Sequence, residues 1–289
     1  MLTTLDHLVI AVRDLDAATA TYSRLLGRAP SWRGEHPGAG SANALFRLAN
    51  TYVELLSPAG PGGLGDVLRA HLETDGEGPF AIAFGTDDAA ACATALRARG
   101  LSADEPADGR GRDRSSAAER RWRTVALPPA HTRGVRVFAI EHRSPADALP
   151  PAAVVGDAAA AVSGVDHAVI MTGDPEAARV LYGDQLGLRL ALDRTFADRR
   201  VRLLFFRIAG ITVELAAPLG AAPEVAVRDR FWGISYRVPD ADAAHVRLVA
   251  GGFDVSDVRS GHKAGTRVCS VRDAPHGVAT LFIAPDRER

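Results

Sequence analysis

Apolar and β-branched residues run together over Leu5–Val12. Asp14 then opens a stretch in which Leu15, Ala18, Tyr22 and Leu25/Leu26 recur at helical spacing, and Gly27 follows. The first run predicts a strand. The second predicts a helix with an Asp N-cap and a glycine stop. Ala44–Leu48 and Thr51–Leu56 predict two more strands, with Ala49-Asn50 as the turn between them. The same order begins again at Phe80–Gly85, which predicts a strand. Asp88 reads as a cap, Ala89–Arg99 as a helix and Gly100 as a stop, and strands resume near Trp122–Leu127 and Val135–Glu141. The unit is strand, helix, then two or three strands.

The chain repeats itself. A shift of 160 residues superposes residues 6–58 on 166–218 without a gap and gives 17 identities in 53 positions. Chance would give about 4 on ordinary residue usage. The matches include Asp6/Asp166, His7/His167, Tyr22/Tyr182, Gly27/Gly187 and Glu54/Glu214, which alanine bias cannot explain. A weaker repeat at a shift of 152 pairs Ile82, Asp88, Leu96 and Gly100 with Ile234, Asp240, Leu248 and Gly252. The segments therefore run A, B, A′, B′. The predicted division is a first domain over 1–143, an Ala/Pro-rich linker over 144–163 and a second domain over 164–289.

Composition narrows the classes. With 34 basic and 35 acidic residues the net charge is −1, which argues against a nucleic-acid partner. No apolar run approaches a membrane span, and the first residues show no signal-peptide pattern. Cys92 and Cys269 lie in different halves, so no disulfide framework is expected and a cytoplasmic location is the simplest. No phosphate loop or nucleophile elbow is present, which excludes a nucleotide cofactor and a serine hydrolase from the expectations.

The phrases LDHLVIAVRDLDAATATYSRLLG (5–27) and YVELLSP (52–58), echoed by VDHAVIMTGDPEAARVLYGDQLG (165–187) and TVELAAP (212–218), resemble the vicinal oxygen chelate (VOC) superfamily. That superfamily includes glyoxalase I, bleomycin-resistance proteins and extradiol dioxygenases. HPGAGSANALFRL (36–48) and the RWR of 121–123 resemble its glyoxalase-like subgroup more narrowly. The resemblance implies an α+β fold of four βαβββ modules, paired into two cup-shaped, mostly antiparallel sheets. It also implies that each module of a metal-using member offers one ligand from its first strand and one from its last, His or Gln and then Glu.

On that scheme His7 and Glu54 are metal candidates in the first cup. The third is Glu141, because IEHRSP at 140–145 echoes the Glu-to-Pro spacing of ELLSP and ELAAP. A count from Gly134 puts Phe138 there instead. The remaining first-strand position falls at Ala81. The second cup offers only His167 and Glu214, with Gly233 and Leu281 opposite, so the dioxygenase reading is rejected. Imidazole and carboxylate ligands suit Zn, Ni, Co, Mn or Fe and leave positions open for substrate oxygens.

Without metal, either histidine would line its cup, and either glutamate would need a partner such as Arg47 or Arg207. His36 and Asn43, in a Gly-rich loop, and Trp122 and Arg123, on a B strand, are candidate substrate contacts. Residues 110–123 are otherwise expected to form a solvated basic loop.

The expected function is that of an enzyme of lyase or isomerase type, acting on a small oxygenated metabolite in the first cup with a divalent metal. Glu54 and Glu141 would be its catalytic carboxylates, and the chain a monomer or homodimer. The alternatives are a metal-free protein that binds or sequesters a small molecule and a cofactor-independent enzyme. Glu214 is expected to be the more tightly paired carboxylate and Glu54 the more available.

Overall fold

The structure is a computed structural model and describes residues 1–116, 118–220 and 228–286. Four βαβββ modules follow one another. The first is β1 (Thr4–Ala11), α1 (Leu15–Leu26), β2 (Trp32–His36), β3 (Ser41–Arg47) and β4 (Tyr52–Pro58). A helix that the sequence reading missed, α2 (Gly63–Thr74), leads to the second module. This comprises β5 (Gly78–Gly85), α3 (Ala89–Ala98), β6 (Ala107–Asp113), β7 (Glu119–Leu127) and β8 (Arg136–His142). The third is β9 (Gly164–Met171), α4 (Pro175–Arg179, continuing as a wider turn to Gln185), β10 (Arg189–Phe196), β11 (Val201–Ile208) and β12 (Ile211–Pro218). The fourth is β13 (Arg230–Arg237), α5 (Ala241–Ala250), β14 (Arg259–Ser260), β15 (Thr266–Val271) and β16 (Ala279–Pro285).

Each module helix starts at an aspartate whose carboxylate accepts backbone N–H groups of the first turn: Asp14, Asp88, Asp174 and Asp240. Gly27 ends α1 at φ 64°, a left-handed conformation that glycine adopts without strain. The strands then alternate. Leu8, Ile10, Val53, Leu55, Ile82 and Phe84 face the helices and form the core with Tyr22, Leu25, Cys92 and Leu96. The residues between them face the other way, into a cup.

The two halves share one strand order. The second sheet runs β10-β11-β12-β9-β13-β16-β15-β14, and the first follows the equivalent order. The first sheet closes into an eight-stranded barrel, because β2 pairs with β6 through Gly34↔Asp113 and Glu35↔Arg112. A Cβ at Gly34 would sit 2.6 Å from the Arg112 carbonyl oxygen, so this seam needs the glycine. The second sheet stays open.

Residues 144–163 connect the halves but are not a free spacer. Ala152 N donates to Arg47 O at 2.9 Å, Val155 N donates to Gly27 O at 2.9 Å, and Leu149, Ala152 and Ala160–Val162 are buried. The stretch read as a solvated basic loop is mostly the β6–β7 hairpin. Cys92 and Cys269 are buried and free. Among the described residues no helix is long and apolar enough to cross a membrane.

Candidate functional site

The first cup encloses about 880 Å³. Its walls are apolar, formed by Val9, Leu45, Leu56, Phe80, Phe138 and Trp122, and Leu64 of α2 lies at the same cavity. Polar groups gather on β1, β3 and β4. Register dictates this placement: Val9 pairs with Glu54 across β1 and β4, Leu45 pairs with Glu54 across β3 and β4, and Asn43 lies two residues before Leu45 on the same face.

His7 is 2% exposed. Its Nδ1 lies 2.7 Å from Asp6 Oδ1, and its Nε2 lies 3.3 Å from Glu54 Oε2. The ring stacks on Tyr52 at 4.4 Å and meets the edge of Phe138 at 5.5 Å. Burial alone would lower its pKa, but the two carboxylates outweigh burial and push it up to about 9. Asp6 also meets His142 Nε2 at 2.9 Å, and against its own burial these contacts hold its carboxyl well below the usual range. Burial likewise disfavours ionised Glu54, yet His7, His36 and Asn43 together lower its pKa. Asn43 Nδ2 donates to Glu54 Oε1 at 2.7 Å, while Asn43 Oδ1 is buried with no partner among the described residues.

His36 differs from His7. Burial lowers its pKa, so it is neutral near pH 7. Its Nδ1 lies 2.8 Å from Ser41 Oγ, and its Nε2 lies 3.2 Å from Asn43 Nδ2. Asn43 Nδ2 is a donor, so Nε2 is the acceptor and the proton sits on Nδ1.

His36, Asn43 and Trp122 therefore line the cup with His7 and Glu54, whereas Arg123 and Glu141 do not. Arg123 alternates with Trp122 along β7 and pairs outside with Asp108 at 3.5 Å. Glu141 points to the helix side of β8. Its Oε2 accepts from Ala89 N at 3.0 Å at the start of α3, and its Oε1 meets Arg143 Nε at 3.2 Å. Ala83 pairs with Phe138, so Phe138 is the β8 residue that faces His7. The expected catalytic and metal role of Glu141 thus has no geometric basis.

The donor set does not fit a chelated divalent ion. At the four strand positions concerned, His7 and Glu54 are donors, and Ala81 and Phe138 are not. No group of three or more His, Cys, Asp or Glu among the described residues could hold a metal. His7 and Glu54 therefore give two protein donors, one short of the three that a catalytic metal site uses.

The second cup is looser. His167 Nε2 lies 3.8 Å from Glu214 Oε2, and His167 meets Asp166 at 3.0 Å. Burial raises the pKa of Glu214. The expectation that Glu214 would be the better paired carboxylate is reversed. At the positions of His36 and Asn43 this half has Phe196 and Leu203, so Glu214 lacks the side-chain donor that Glu54 has. The suggested arginine partners are elsewhere too: Arg47 donates to the carbonyls of Ala146 and Leu149.

Sequence reasoning also missed Tyr52 and Arg120 in the first cup. Trp122 faces inward, so strand alternation places Arg120 inward as well, a signal hidden inside the basic run.

Comparison with known proteins adds the following. Residues 5–163, more than half the chain, match the family model described as a glyoxalase-like domain. Residues 166–270 match that of the glyoxalase/bleomycin resistance protein/dioxygenase superfamily. An ethylmalonyl-CoA/methylmalonyl-CoA epimerase of Cereibacter sphaeroides is 40% identical over 62 residues, which are 22% of this chain and 46% of that protein. The chain thus spans about half the length of the curated relative it matches. A variant of 4-hydroxymandelate synthase from Streptomyces coelicolor superposes with a TM-score of 0.70 at 14% identity, over 99% of this chain and 93% of that one. A hypothetical protein from Staphylococcus aureus superposes with a TM-score of 0.66 at 11% identity, over 98% and 99%. At those identities both show the fold alone.

Proposed function

The chain belongs to the vicinal oxygen chelate superfamily, and on that premise we propose that its first cup acts on a small oxygenated molecule by proton transfer, as an isomerase or lyase that needs no metal. The supporting observation is Glu54, a buried carboxylate on the wall of a largely apolar cup, held ionised by a fixed set of donors. Buried titratable groups with shifted proton affinity, gathered in a pocket, mark candidate sites of chemistry.

Glu54 is the proton acceptor. Asn43 fixes Oε1 and His7 fixes Oε2, so the carboxylate meets a bound substrate in one orientation. The bond broken is a C–H bond beside a carbonyl, the bond formed is Glu54 O–H, and the electron pair moves to the carbonyl oxygen. The His7 imidazolium, held by Asp6, stays beside the new negative charge. Delivery of a proton to the opposite face, or to the neighbouring carbon, gives an isomer, and loss of a β-substituent gives a lyase product. The epimerase relative, whose name specifies a coenzyme A thioester, supports this reaction class. A second reading, binding without turnover, draws on the lowered pKa of Glu54, which makes it a weaker base.

The test is solvent-deuterium exchange followed by proton NMR on chelator-treated protein. The probes are dihydroxyacetone, 2-oxobutyrate, acetoacetate and methylmalonyl-CoA. Exchange into at least one probe is expected, absent in Glu54→Gln and kept in Glu214→Gln. No exchange into any probe would favour binding alone. Exchange lost on chelation and restored by a divalent ion would overturn the metal-free mechanism.

A further inference from the structure

Arg120 is 7% exposed and lines the first cup from β7, on the same face as Trp122 and Thr124. Its guanidinium lies over the rings of Trp32 and Tyr52, 5.8 and 5.7 Å from their centroids. Among the described residues no carboxylate lies within 4.0 Å of it. This is unusual, because guanidinium does not lose its proton at any ordinary pH and a buried charge needs an opposite charge or a full set of acceptors. The two aromatic faces and the Tyr52 hydroxyl, a neutral acceptor, supply only part of that.

Charge accounting leads to the same place. His7 lies between Asp6 and Glu54, and Asp6 also meets His142. Arg120 is the second buried cation of this set and has neither carboxylate in ion-pair contact. Arg110, Arg121 and Arg143 also border the cavity, against Asp108. Arg121 and Arg143 have carboxylates of their own, Glu119 and Glu141. Arg110 then stands against Asp108, so the entrance is close to charge balance and the buried cation without a carboxylate contact is Arg120.

A second, independent observation comes from the wall of the same cavity. Asn43 Oδ1 is an acceptor without a partner, in a residue 4% exposed. A buried acceptor of this kind calls for a donor from a ligand or from water. His36 and Tyr52 each lie close enough to both Glu54 and Arg120 to respond to their charges, which places the two charged groups around one space.

We propose that the first cup is built for a small organic acid, with Arg120 receiving its carboxylate and Asn43 Oδ1 accepting a hydrogen bond from a hydroxyl on the same molecule. This names the substrate class of the proton-transfer reading and rests on it for the reaction, but the binding geometry stands without turnover. A planar guanidinium meets a carboxylate with two parallel N–H···O bonds, and the cation–π contacts with Trp32 and Tyr52 hold the head group at the cup wall. The other end of the acid then lies toward Glu54.

The test separates binding from turnover. Lactate, malate, 2-hydroxyhexanoate and phenyllactate are each compared with their amides by ligand-observed NMR and calorimetry. The proteins are the wild type, Arg120→Gln, Arg120→Lys and Glu54→Gln. At least one acid should bind the wild type about thirty-fold or more tightly than its amide, as for a buried charge pair that loses one partner. Arg120→Gln should abolish that preference, and Arg120→Lys should keep part of it. Glu54→Gln should bind the acid while failing the exchange assay, so loss of the catalytic reading would not be mistaken for loss of this one. The acid–amide comparison on the wild type needs no variant, so misfolding of Arg120→Gln would leave the test intact. Equal binding of acid and amide, equal acid affinity in Arg120→Gln and wild type, or no binding of any acid would each overturn the proposal.

Discussion

Raising the pH from 6.5 to 9 should destabilise the first cup, and His7 should be the cause. In the unfolded chain its pKa is near 6.5, whereas in the folded protein Asp6 and Glu54 push it up to about 9. A group whose folded pKa is raised binds its proton more tightly in the native state. Its contribution is therefore complete below pH 6.5, declines between 6.5 and 9, and is gone above. At about 1.4 kcal/mol for each tenfold change in proton affinity, the contribution is about 3 kcal/mol. His7 is buried, so solvent screening removes little of this. Asp6 and Glu54 report the same contacts from the acidic side: their lowered pKa values give stability that is present above the ordinary carboxylate range and lost on acidification. The stability plateau should thus lie between about pH 5 and 6.5.

The assay is urea unfolding at pH 6.0, 7.5 and 9.0, read by tryptophan fluorescence. Trp32 and Trp122 both sit in the first barrel and report its transition. His7→Gln should lower stability at pH 6 by about 3–5 kcal/mol, since it removes the buried cation between two carboxylates. It should also flatten the alkaline slope. The His7 Cε1 proton, followed by NMR in the wild type, gives an independent reading. Titration of that proton near 6.5, or equal alkaline slopes in wild type and variant, would refute the reasoning.

Glu214→Gln should leave the second half as stable as before at pH 7 or stabilise it slightly, because burial already disfavours its charge; thermal unfolding of the variant checks the sign. Glu141→Leu should remove an acceptor for Ala89 N at the start of α3 and cost about 1–2 kcal/mol in chemical denaturation, while leaving acid binding to the cup unchanged.

The architecture could be read from the sequence because its signals are local and occur more than once. Asp14, Asp88, Asp174 and Asp240 each cap a helix, and Gly27 stops one. The gapless match of 6–58 to 166–218 carried strand order with it. The active face was harder to place, because it depends on register. Glu141 looked equivalent to Glu54 on the strength of a proline four residues later, but that proline follows the strand. What aligns β8 is its pairing with β5, Ala83 against Phe138, after a turn at Gly134 whose φ of 99° glycine accommodates. The count from the turn was the physically grounded one. Arg120 was hidden for a related reason: a basic run suggests solvent, and only strand alternation from Trp122 shows that one of its arginines faces inward. In α2, Leu64, Leu68 and Leu72 recur every four residues, but the surrounding Gly and Pro masked the helix.

The difference between the two cups follows from a few positions. Both halves keep the first-strand histidine and the fourth-strand glutamate, so duplication preserved the core of the site. The first half adds His36 and Asn43, and the second has Phe196 and Leu203 in their places. The direction of the glutamate's pKa shift follows first from the histidine contact: His7 at 3.3 Å, helped by His36 and Asn43, outweighs burial of Glu54, whereas His167 at 3.8 Å does not outweigh burial of Glu214. Barrel closure reinforces the contrast. The β2–β6 seam surrounds Glu54 with protein, whereas among the described residues β10 has no strand partner on its outer edge and β14 is two residues long. His167 is accordingly 20% exposed at its side chain against 3% for His7. The strand register puts Ala264 at the counterpart of Arg120, so the second half also lacks the buried cation. Seam, donor and cation occur together in one half and are missing together from the other, as expected if they serve one ligand.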